Sequence, residues 1–350
     1  MNPAAQPAPR PRPDLGRVDP AEVVRRLHPV GVHGGAPLSF VASPADVFAL
    51  AAPHMAQAEA RLRELVASEV DVVAAIGAYT ATAGGKRLRP LLTALGAGAV
   101  GFDRPLDGLM CAGELIHLGS LLHDDVVDDG AVRRGLPAAQ RVYGNAAVIL
   151  TGDFCLARAV LLAAEEGGHA AVTGLAQAVT AMAEGEVLQL QRAGNLDTSL
   201  EQYLEMIDKK SAALIAWCTC AGALASNDAA AAEALSAYGR AVGVAFQITD
   251  DVLDYAEGTG KTPGQDLREK KLTLPLLYAM ERRPDLRARI HTDDVATLLT
   301  AVRDTGALDR ALDEARRRVD VALGGLDVLP DTPWRDGLRV LGRYLVERAS

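Results

Sequence analysis

Two short acidic motifs carry the residues of this chain that are best suited to chemistry. Both have the pattern D-D-x-x-D inside otherwise apolar sequence. Their aspartates are Asp124, Asp125 and Asp128 in LLHDDVVDDG, and Asp250, Asp251 and Asp254 in TDDVLDY. On a helix, the first and last aspartates of each motif share one face. Two such faces that met across a helical bundle would form a deep acidic cavity.

A divalent metal ion is the natural neutraliser of such a cavity. Ionised carboxylates cost several kcal/mol each when they are buried without a partner. Mg²⁺ prefers oxygen ligands, and in proteins it is usually held by one or two carboxylates together with waters and substrate phosphates. A solvated charged face explains a single motif adequately, but not two motifs in apolar settings. Zinc is disfavoured because no Cys or His clusters near the aspartates at ligand spacing.

Basic residues stand where a phosphate-bearing ligand would need them. Lys86 and Arg89 lie in GGKRLRP, just after a glycine pair that can turn tightly. The other basic residues follow the acidic motifs or open an apolar helix: Arg133, Arg134, Lys210, Lys261 and Lys271. Each one alone is equally consistent with a charged helix start or a weak surface ion pair. Together with the two acidic motifs they predict a phosphate-binding site.

The elements that must position these residues are predicted to be helices. The chain has 350 residues, of which 49% are hydrophobic and only 4% aromatic. Ala and Leu dominate, which favours helices, and no run rich in Val, Ile and Thr predicts a sheet. We expect an all-α protein, with about ten or more helices in a single domain over residues 41–350. Residues 1–40 are rich in Pro, Gly, Arg and Ala and are predicted to be a disordered or loosely ordered leader.

Charge and apolar patterning disfavour several classes of protein. The net charge is −9 and the pI is about 5.3, so nucleic acid is not an expected partner. The four cysteines lack CxxC spacing and are predicted to be buried in a reducing cytoplasm. The N-terminus lacks the apolar core of a signal peptide, and no apolar run approaches the 18 or so residues of a membrane span. The longest run, 212–226, is predicted to be a buried helix, and we expect a cytoplasmic protein with no transmembrane segment.

The chain resembles the trans-polyprenyl diphosphate synthases, in particular their medium- and long-chain bacterial branch. The matching segments, in family order from about residue 50 to 350, are GGKRLRP, ELIHLGSLLHDDVVDDGAVRRG, GNAAVILTGDF, AEGEVLQL, KKSAALI, FQITDDVLDY, GKTPGQDLREKKLTLPL and YLVER. The resemblance implies the all-α isoprenoid synthase fold around a central cavity, usually as a homodimer. It also implies a prenyltransferase that joins an allylic diphosphate to isopentenyl diphosphate after ionisation assisted by Mg²⁺.

The same resemblance assigns roles to individual residues. The six aspartates would hold a cluster of about three Mg²⁺ ions on the allylic diphosphate, and the first motif with Asp250 would assist ionisation. The residues that would bind isopentenyl diphosphate are Lys86, Arg89, His117 and Arg134. Those that would bind the allylic diphosphate are Arg133, Lys210, Gln247, Lys261 and Lys271. Lys210 and Gln247 would also act in catalysis by steadying the allylic cation.

Small residues before the first motif bear on the length of the product. Gly119 and Ser120 lie five and four positions before its first aspartate, where short-chain members of the family often carry bulky aromatics. Their small size predicts an open tunnel and a medium or long product of about 30–50 carbons. Leu115 and Ile116, one turn further back, would then limit growth. Two alternatives stay open: Gly119 only permits close helix packing, or the partner helix around 150–190 forms the floor.

Three other functions compete with this interpretation. A short-chain synthase making farnesyl or geranylgeranyl diphosphate would differ chiefly in its tunnel residues. A class I terpene cyclase usually replaces the second D-D-x-x-D and lacks GGKRLRP, whereas this chain keeps both. A non-catalytic partner subunit of a heteromeric synthase tends to lose aspartates from one motif, whereas this chain keeps all six.

Overall fold

The computed structural model describes residues 41–256 and 263–347. The predicted leader, residues 1–40, and Lys261 lie outside the described residues. The α-helices of the described ranges are α1 (Pro44–Leu65), α2 (Asp71–Thr82), α3 (Leu88–Ala99), α4 (Asp107–Val127), α5 (Ala139–Tyr143), α6 (Asn145–Leu162), α7 (Gly168–Arg192), α8 (Leu200–Ile207), α9 (Ala213–Ala225), α10 (Ala229–Leu253), α11 (Gln265–Arg268), α12 (Leu274–Arg282), α13 (Leu286–Arg289), α14 (Val295–Arg303), α15 (Ala307–Gly324) and α16 (Pro333–Glu347).

Short irregular elements interrupt this run of helices. Two are π-helical turns, Ala163–Gly167 and Asp208–Ala212, and one is a 3₁₀ turn, Gly325–Val328. Within the described ranges, the strands are limited to an antiparallel hairpin of β1 (Val132–Arg133) and β2 (Leu136–Pro137). The prediction of an all-α protein is therefore confirmed, with a small hairpin added directly after the first acidic motif.

Helix α1 opens with a complete N-terminal cap. The Ser43 hydroxyl accepts a hydrogen bond from the Asp46 backbone N–H, and the Asp46 carboxylate accepts one from the Ser43 N–H at 2.9 Å. Pro44 occupies the first helical position, where its missing N–H costs nothing. The residues of the cap therefore fix the start of helical structure where the sequence predicts it.

Helix α9 lies at the centre of the bundle. Every residue of it except Leu224 is buried, which confirms the prediction for 212–226. It packs against α3, α7 and α10. Small residues permit this closeness, since a Cβ on Gly96 of α3 would lie 1.9 Å from the Thr219 carbonyl oxygen. This dense centre supports α4 and α10, whose C-terminal ends carry the two acidic motifs.

Helices α6 and α7 continue into each other as one long apolar segment. The segment Asn145–Arg192 has 48 residues and fits a membrane span by length and hydropathy alone. This differs from the expectation that no apolar run is long enough to span a membrane, because charged residues interrupt the apolar ones in this segment. In its most apolar stretch of 18 residues only 39% is buried, and Leu150 and Leu161 are among the exposed side chains of the segment. Part of this segment therefore presents large apolar side chains to solvent.

Candidate active site

The first acidic motif lies at the C-terminal end of α4. The helix ends at Val127, and the backbone N–H of Asp128 donates to the Asp124 carbonyl oxygen at 2.8 Å. Asp124 and Asp128 therefore keep the one-turn relation that the sequence predicts, and both reach solvent. Asp129 takes a left-handed backbone with φ 49° and pairs with Arg141 at 2.8 Å. This fourth acid belongs to the local turn.

Asp125 points into the protein and holds the hairpin. Its side chain is buried and accepts an ion-paired hydrogen bond from Arg133 Nε. The Gln140 amide adds a bond to the Asp125 carbonyl oxygen at 2.6 Å. Because β1 carries Arg133 and the turn between the two strands carries Arg134, Asp125 fixes where these arginines stand. In the described structure this aspartate orients an arginine, and its role as a metal ligand stays a prediction.

The second acidic motif ends α10, and its middle aspartate is fully engaged inside the bundle. The Tyr203 hydroxyl donates to Asp251 Oδ2 at 2.6 Å, and Gln247 Nε2 donates to Asp251 Oδ1 at 2.8 Å. Burial raises the pKa of Asp251, and these two donors oppose the rise. Gln247 is itself fixed, since its Oε1 accepts from the Ser211 hydroxyl at 2.8 Å. Tyr203 could not be predicted from the sequence, because its contact with Asp251 spans 48 residues along the chain.

Asp254 caps the short helix α11. Its two carboxylate oxygens accept backbone N–H groups from Gln265 and Asp266 at 3.1 and 3.0 Å. Asp266 is a further carboxyl of this corner that the sequence analysis missed, and burial beside Asp251 and Asp254 raises its pKa. Asp250 and Asp254 are both half-buried, whereas Asp251 between them is buried. The three aspartates were predicted to share one role as metal ligands, but their surroundings differ.

Cationic side chains bring the two motifs together. Lys271, which follows the second motif, lies with Nζ 3.8 Å from Asp128 Oδ2 and 2.6 Å from Glu269. Lys210 Nζ lies 2.5 Å from Glu186 Oε2. Burial raises the pKa of Asp124 to about 6, and Lys210 nearby opposes that rise. We call the region in which these charged groups at the ends of α4 and α10 interact the cleft.

Lys210 belongs to the π-helical turn Asp208–Ala212, which is pressed against α7. A Cβ on Gly185 would lie 2.4 Å from the Lys210 backbone nitrogen and 2.8 Å from its Cα. The glycine of AEGEVLQL therefore allows the turn to approach α7, and the next residue, Glu186, then meets the Lys210 side chain. Turns of this type occur frequently at functional sites.

A second cationic cluster lies beside the cleft. Arg134 has a left-handed backbone with φ 52°, and its guanidinium would lie 3.0 Å from a Cβ on Gly85. Burial, with Arg89 and Arg134 nearby, holds the pKa of His117 well below its usual value. Uncharged at neutral pH, His117 can donate only one ring hydrogen bond. Lys86 is exposed at the turn before α3. The four residues predicted to bind one diphosphate thus come from three places in the chain to one region.

The residues predicted to control product length are tightly packed. Leu115 and Ile116 are fully buried, and Ser120 donates to the His117 carbonyl oxygen at 2.9 Å. A Cβ on Gly119 would lie 2.9 Å from the Gly152 carbonyl oxygen of α6. The backbone of α6 thus fills the space beside Gly119, as in the packing alternative. Its small size does not by itself establish an open tunnel.

The fit of a metal ion depends on the ligand that accompanies it. In the part of the chain that the structure describes, no three His, Cys, Asp or Glu side chains are grouped closely enough to hold a metal alone. Magnesium usually takes one or two carboxylates from the protein and completes its shell with water and phosphate oxygens. Asp124, Asp128 and Asp250 suit such a role, because Asp128 is exposed and the other two are half-buried, so a ligand can reach them.

Comparison with known proteins agrees with this geometry. The Polyprenyl synthetase family model matches residues 70–299. Octaprenyl diphosphate synthase from Escherichia coli (strain K12) is 39% identical over 313 residues, covering 85% of this chain and 97% of its own. All-trans-nonaprenyl-diphosphate synthase (geranyl-diphosphate specific) from Rhodobacter capsulatus is 34% identical over 316 residues, covering 87% and 97%.

Solved structures agree as well. A polyprenyl synthase from Caulobacter crescentus CB15, crystallised with calcium and isoprenyl diphosphate, is 38% identical with a TM-score of 0.83, covering 90% of this chain and all of its own. A decaprenyl diphosphate synthase from Rhodobacter capsulatus is 36% identical with a TM-score of 0.81, covering 88% and 99%. The fold is therefore the predicted isoprenoid synthase fold. The chain belongs to the polyprenyl synthetase family of trans-prenyltransferases.

Proposed function

We propose that this enzyme condenses an allylic diphosphate with isopentenyl diphosphate, head to tail, to make a medium- or long-chain all-trans polyprenyl diphosphate. The observation that carries the proposal is the pair of acidic motifs bordering one charged cleft, with the Arg89–His117–Arg134 cluster beside it. The octaprenyl and nonaprenyl synthases among its relatives support the product class. We take residues 41–350 to form the single catalytic domain.

The cleft would hold its two diphosphates on separate sets of residues. We assign the allylic diphosphate to Mg²⁺, about three ions held chiefly by Asp124, Asp128 and Asp250, as hard oxygen ligands suit that ion. Bound there, the metal would supply electrostatic stabilisation of the departing diphosphate. Protein cations assist from both sides of the cleft: Arg133, Lys210 and Lys271. Lys261 completes this set by sequence position alone.

The remaining residues bind the second substrate and steady the reacting carbon. Lys86, Arg89, His117 and Arg134 would hold isopentenyl diphosphate, with neutral His117 donating a single hydrogen bond. Ionisation of the allylic C–O bond leaves a cation, which the isopentenyl double bond attacks before a proton is lost. The amide of Gln247, fixed by Ser211 and Asp251, keeps its oxygen dipole in place beside Lys210 to stabilise that cation. The apolar surroundings exclude water that would quench it.

The competing functions explain less of the site. A class I terpene cyclase has no use for the second cationic cluster, since it binds a single diphosphate substrate. A non-catalytic subunit has no reason to keep Asp124, Asp128 and Asp250 at the cleft. A short-chain synthase remains the main alternative, and it is separated by product length.

The length of the product tests the proposal directly. Purified protein with Mg²⁺, farnesyl diphosphate and isopentenyl diphosphate is expected to release products of about 30 carbons or more, as its octaprenyl and nonaprenyl relatives suggest. Mass spectrometry of the products identifies the length. Ser120→Phe is the better tunnel variant than Gly119→Phe, because Ser120 is half-buried, whereas a Cβ on Gly119 would already lie 2.9 Å from the Gly152 carbonyl oxygen. A wild-type product that stops at 20 carbons, after one condensation, would establish the short-chain alternative.

We also propose that the exposed apolar face of α6 and α7 forms a homodimer interface. With this face covered by the second subunit, we expect a cytoplasmic protein. Its exposed side chains include Ile149, Leu150, Val160, Leu161, Val187 and Leu190. A contiguous face of this kind is what a stable subunit interface buries.

Leu150→Glu is therefore expected to convert the dimer to monomer at micromolar concentration, because it would bury a charge at the interface. Analytical ultracentrifugation measures the change. Val321→Glu, at a 71% exposed position on α15, is the matched control and should leave the mass unchanged. A wild-type protein that sediments as a monomer would contradict the interface.

A further inference from the structure

Arg87 is a buried cation between two residues of the proposed isopentenyl diphosphate site. It follows Lys86, precedes Arg89 by two positions and is only 5% exposed. Its Nε and Nη2 donate to the two carboxylate oxygens of Glu59 at 3.0 and 3.2 Å. Its Nη1 donates to Glu114 Oε1 at 2.7 Å. The guanidinium is therefore engaged on both of its sides and cannot itself reach a ligand in the cleft.

The partners of Arg87 come from three different helices. Glu59 lies on α1, Glu114 on α4, and the Ala81 carbonyl oxygen, 2.8 Å from Arg87 Nη2, lies at the end of α2. A planar guanidinium with five donors can satisfy three such acceptors at once, whereas a lysine cannot. The turn before α3 is thus fastened to the surrounding bundle through a single side chain.

That turn needs fastening because its backbone is strained. Arg87 has φ 46°, in the left-handed region, which is unfavourable for an L-residue because its Cβ approaches the following carbonyl oxygen. Strained residues persist where the surroundings hold them, and they cluster at functional sites. A buried ion network is also a poor means of stabilising a fold, since apolar residues of similar volume often do as well. Both observations favour a positioning role for Arg87.

The network reaches the cationic cluster through Glu114. Its second oxygen, Oε2, is buried without a hydrogen-bond partner in the structure, as is Arg89 Nε. The negative charge of Glu114 acts on Arg89 and on Arg134, and it partly offsets the burial that lowers the pKa of both. Glu114 thus joins Arg87 to the cations that surround His117, one turn further along α4.

We propose that Arg87 is a positioning residue for the non-allylic diphosphate, holding the turn between Lys86 and Arg89 through its ion network with Glu59 and Glu114. This inference rests on the proposed function. It adds that a change in Arg87 should affect the binding of isopentenyl diphosphate and not of the allylic diphosphate. The reason is that the network contacts the isopentenyl side of the cleft and none of the lysines beside the acidic motifs.

Steady-state kinetics of Arg87→Met and Arg87→Lys test the selectivity. Displacement of bound groups by about 1 Å can cost 10²-fold, so we expect KM for isopentenyl diphosphate to rise about 10–100-fold. KM for farnesyl diphosphate should change less than about twofold, because the residues proposed to bind it make no contact with the network. Arg87→Lys should resemble Arg87→Met, since lysine keeps the charge but not the fork.

Two further variants separate positioning from stability. Arg335→Met removes another largely buried arginine, which pairs with Asp331 near the end of the chain. This variant should lower the melting temperature without changing one of the two KM values more than the other. Glu59→Gln keeps an acceptor for Arg87 and should fold, with a smaller rise in KM for isopentenyl diphosphate alone. Equal rises in both KM values, in Glu59→Gln and in any Arg87 variant that folds, would overturn the positioning role. A wild-type enzyme that forms no product would instead overturn the proposed function, and this inference with it.

Discussion

Asp124→Asn is expected to lower turnover with farnesyl and isopentenyl diphosphates by about 10²–10³-fold, the loss typical of removing one electrostatic contact to a developing charge. Asparagine keeps the shape of the side chain but cannot provide the negative oxygen that Mg²⁺ prefers. The measurement is kcat at saturating substrates and Mg²⁺, by quantifying the prenyl products.

The stability of this variant should move in the opposite direction. The pKa of Asp124 is raised to about 6 in the folded protein, so its ionised form is less favourable there than in the unfolded chain. Above pH 6 this carboxylate therefore works against folding, and a neutral amide should keep or raise the melting temperature. Reduced activity together with reduced stability would indicate a structural role instead.

The same motif supplies the matched control. Asp129 is 79% exposed at its side chain and pairs only with Arg141 among the ion pairs of its turn. Exposed pairs contribute little, so Asp129→Asn should keep activity within about twofold of wild type. Equal losses in Asp124→Asn and Asp129→Asn would remove the distinction between the cleft-facing acid and the acid of the turn.

Gly185→Ala is expected to lower the free energy of unfolding by about 2 kcal/mol and to reduce activity at least about tenfold. The added methyl would meet the Lys210 backbone at 2.4 Å, and a backbone cannot swing aside as a flexible side chain can. The π-helical turn must then move away from α7, which displaces Lys210 and Ser211 together. Chemical denaturation and kcat at saturating Mg²⁺ measure the two effects.

Gly324→Ala provides the comparison, because it makes the same chemical change in α15, where nothing lies within 4 Å of the new methyl. Alanine is the better helix former there, so stability should hold or rise slightly. Normal stability and turnover in Gly185→Ala would show that α7 and the π-helical turn have room to separate.

Much of the fold could be predicted because its signals are local. The apolar run 212–226 had to be a buried helix, and α9 is one. The one-turn spacing of Asp124 and Asp128 follows from helix geometry and is observed at the end of α4. The family could be predicted because its motifs stand in order along the chain, and the comparisons confirm it.

The remaining features depend on contacts that spacing does not encode. Asp251 and Asp254 have the same motif positions as Asp125 and Asp128, yet one meets Tyr203 and the other caps α11. The packing role of Gly119 is set by the backbone of α6, more than thirty residues later in the sequence. Such roles belong to the tertiary structure, where the partner comes from a distant segment.

The ion pairs across the cleft have a thermodynamic consequence for loading the enzyme. Lys210 is matched with Glu186, and Lys271 with Glu269 and Asp128. Under the proposed function, Lys210 and Lys271 would pair with the diphosphate and Asp128 would pair with Mg²⁺, so each ligand would free groups that the other binds. When either ligand binds alone, some of these groups lose their partner of opposite charge: the lysines if only Mg²⁺ binds, and the carboxylates if only the diphosphate binds. Each ligand should therefore tighten the binding of the other by the same factor. Metal and diphosphate together should then bind the cleft with higher affinity than either one alone.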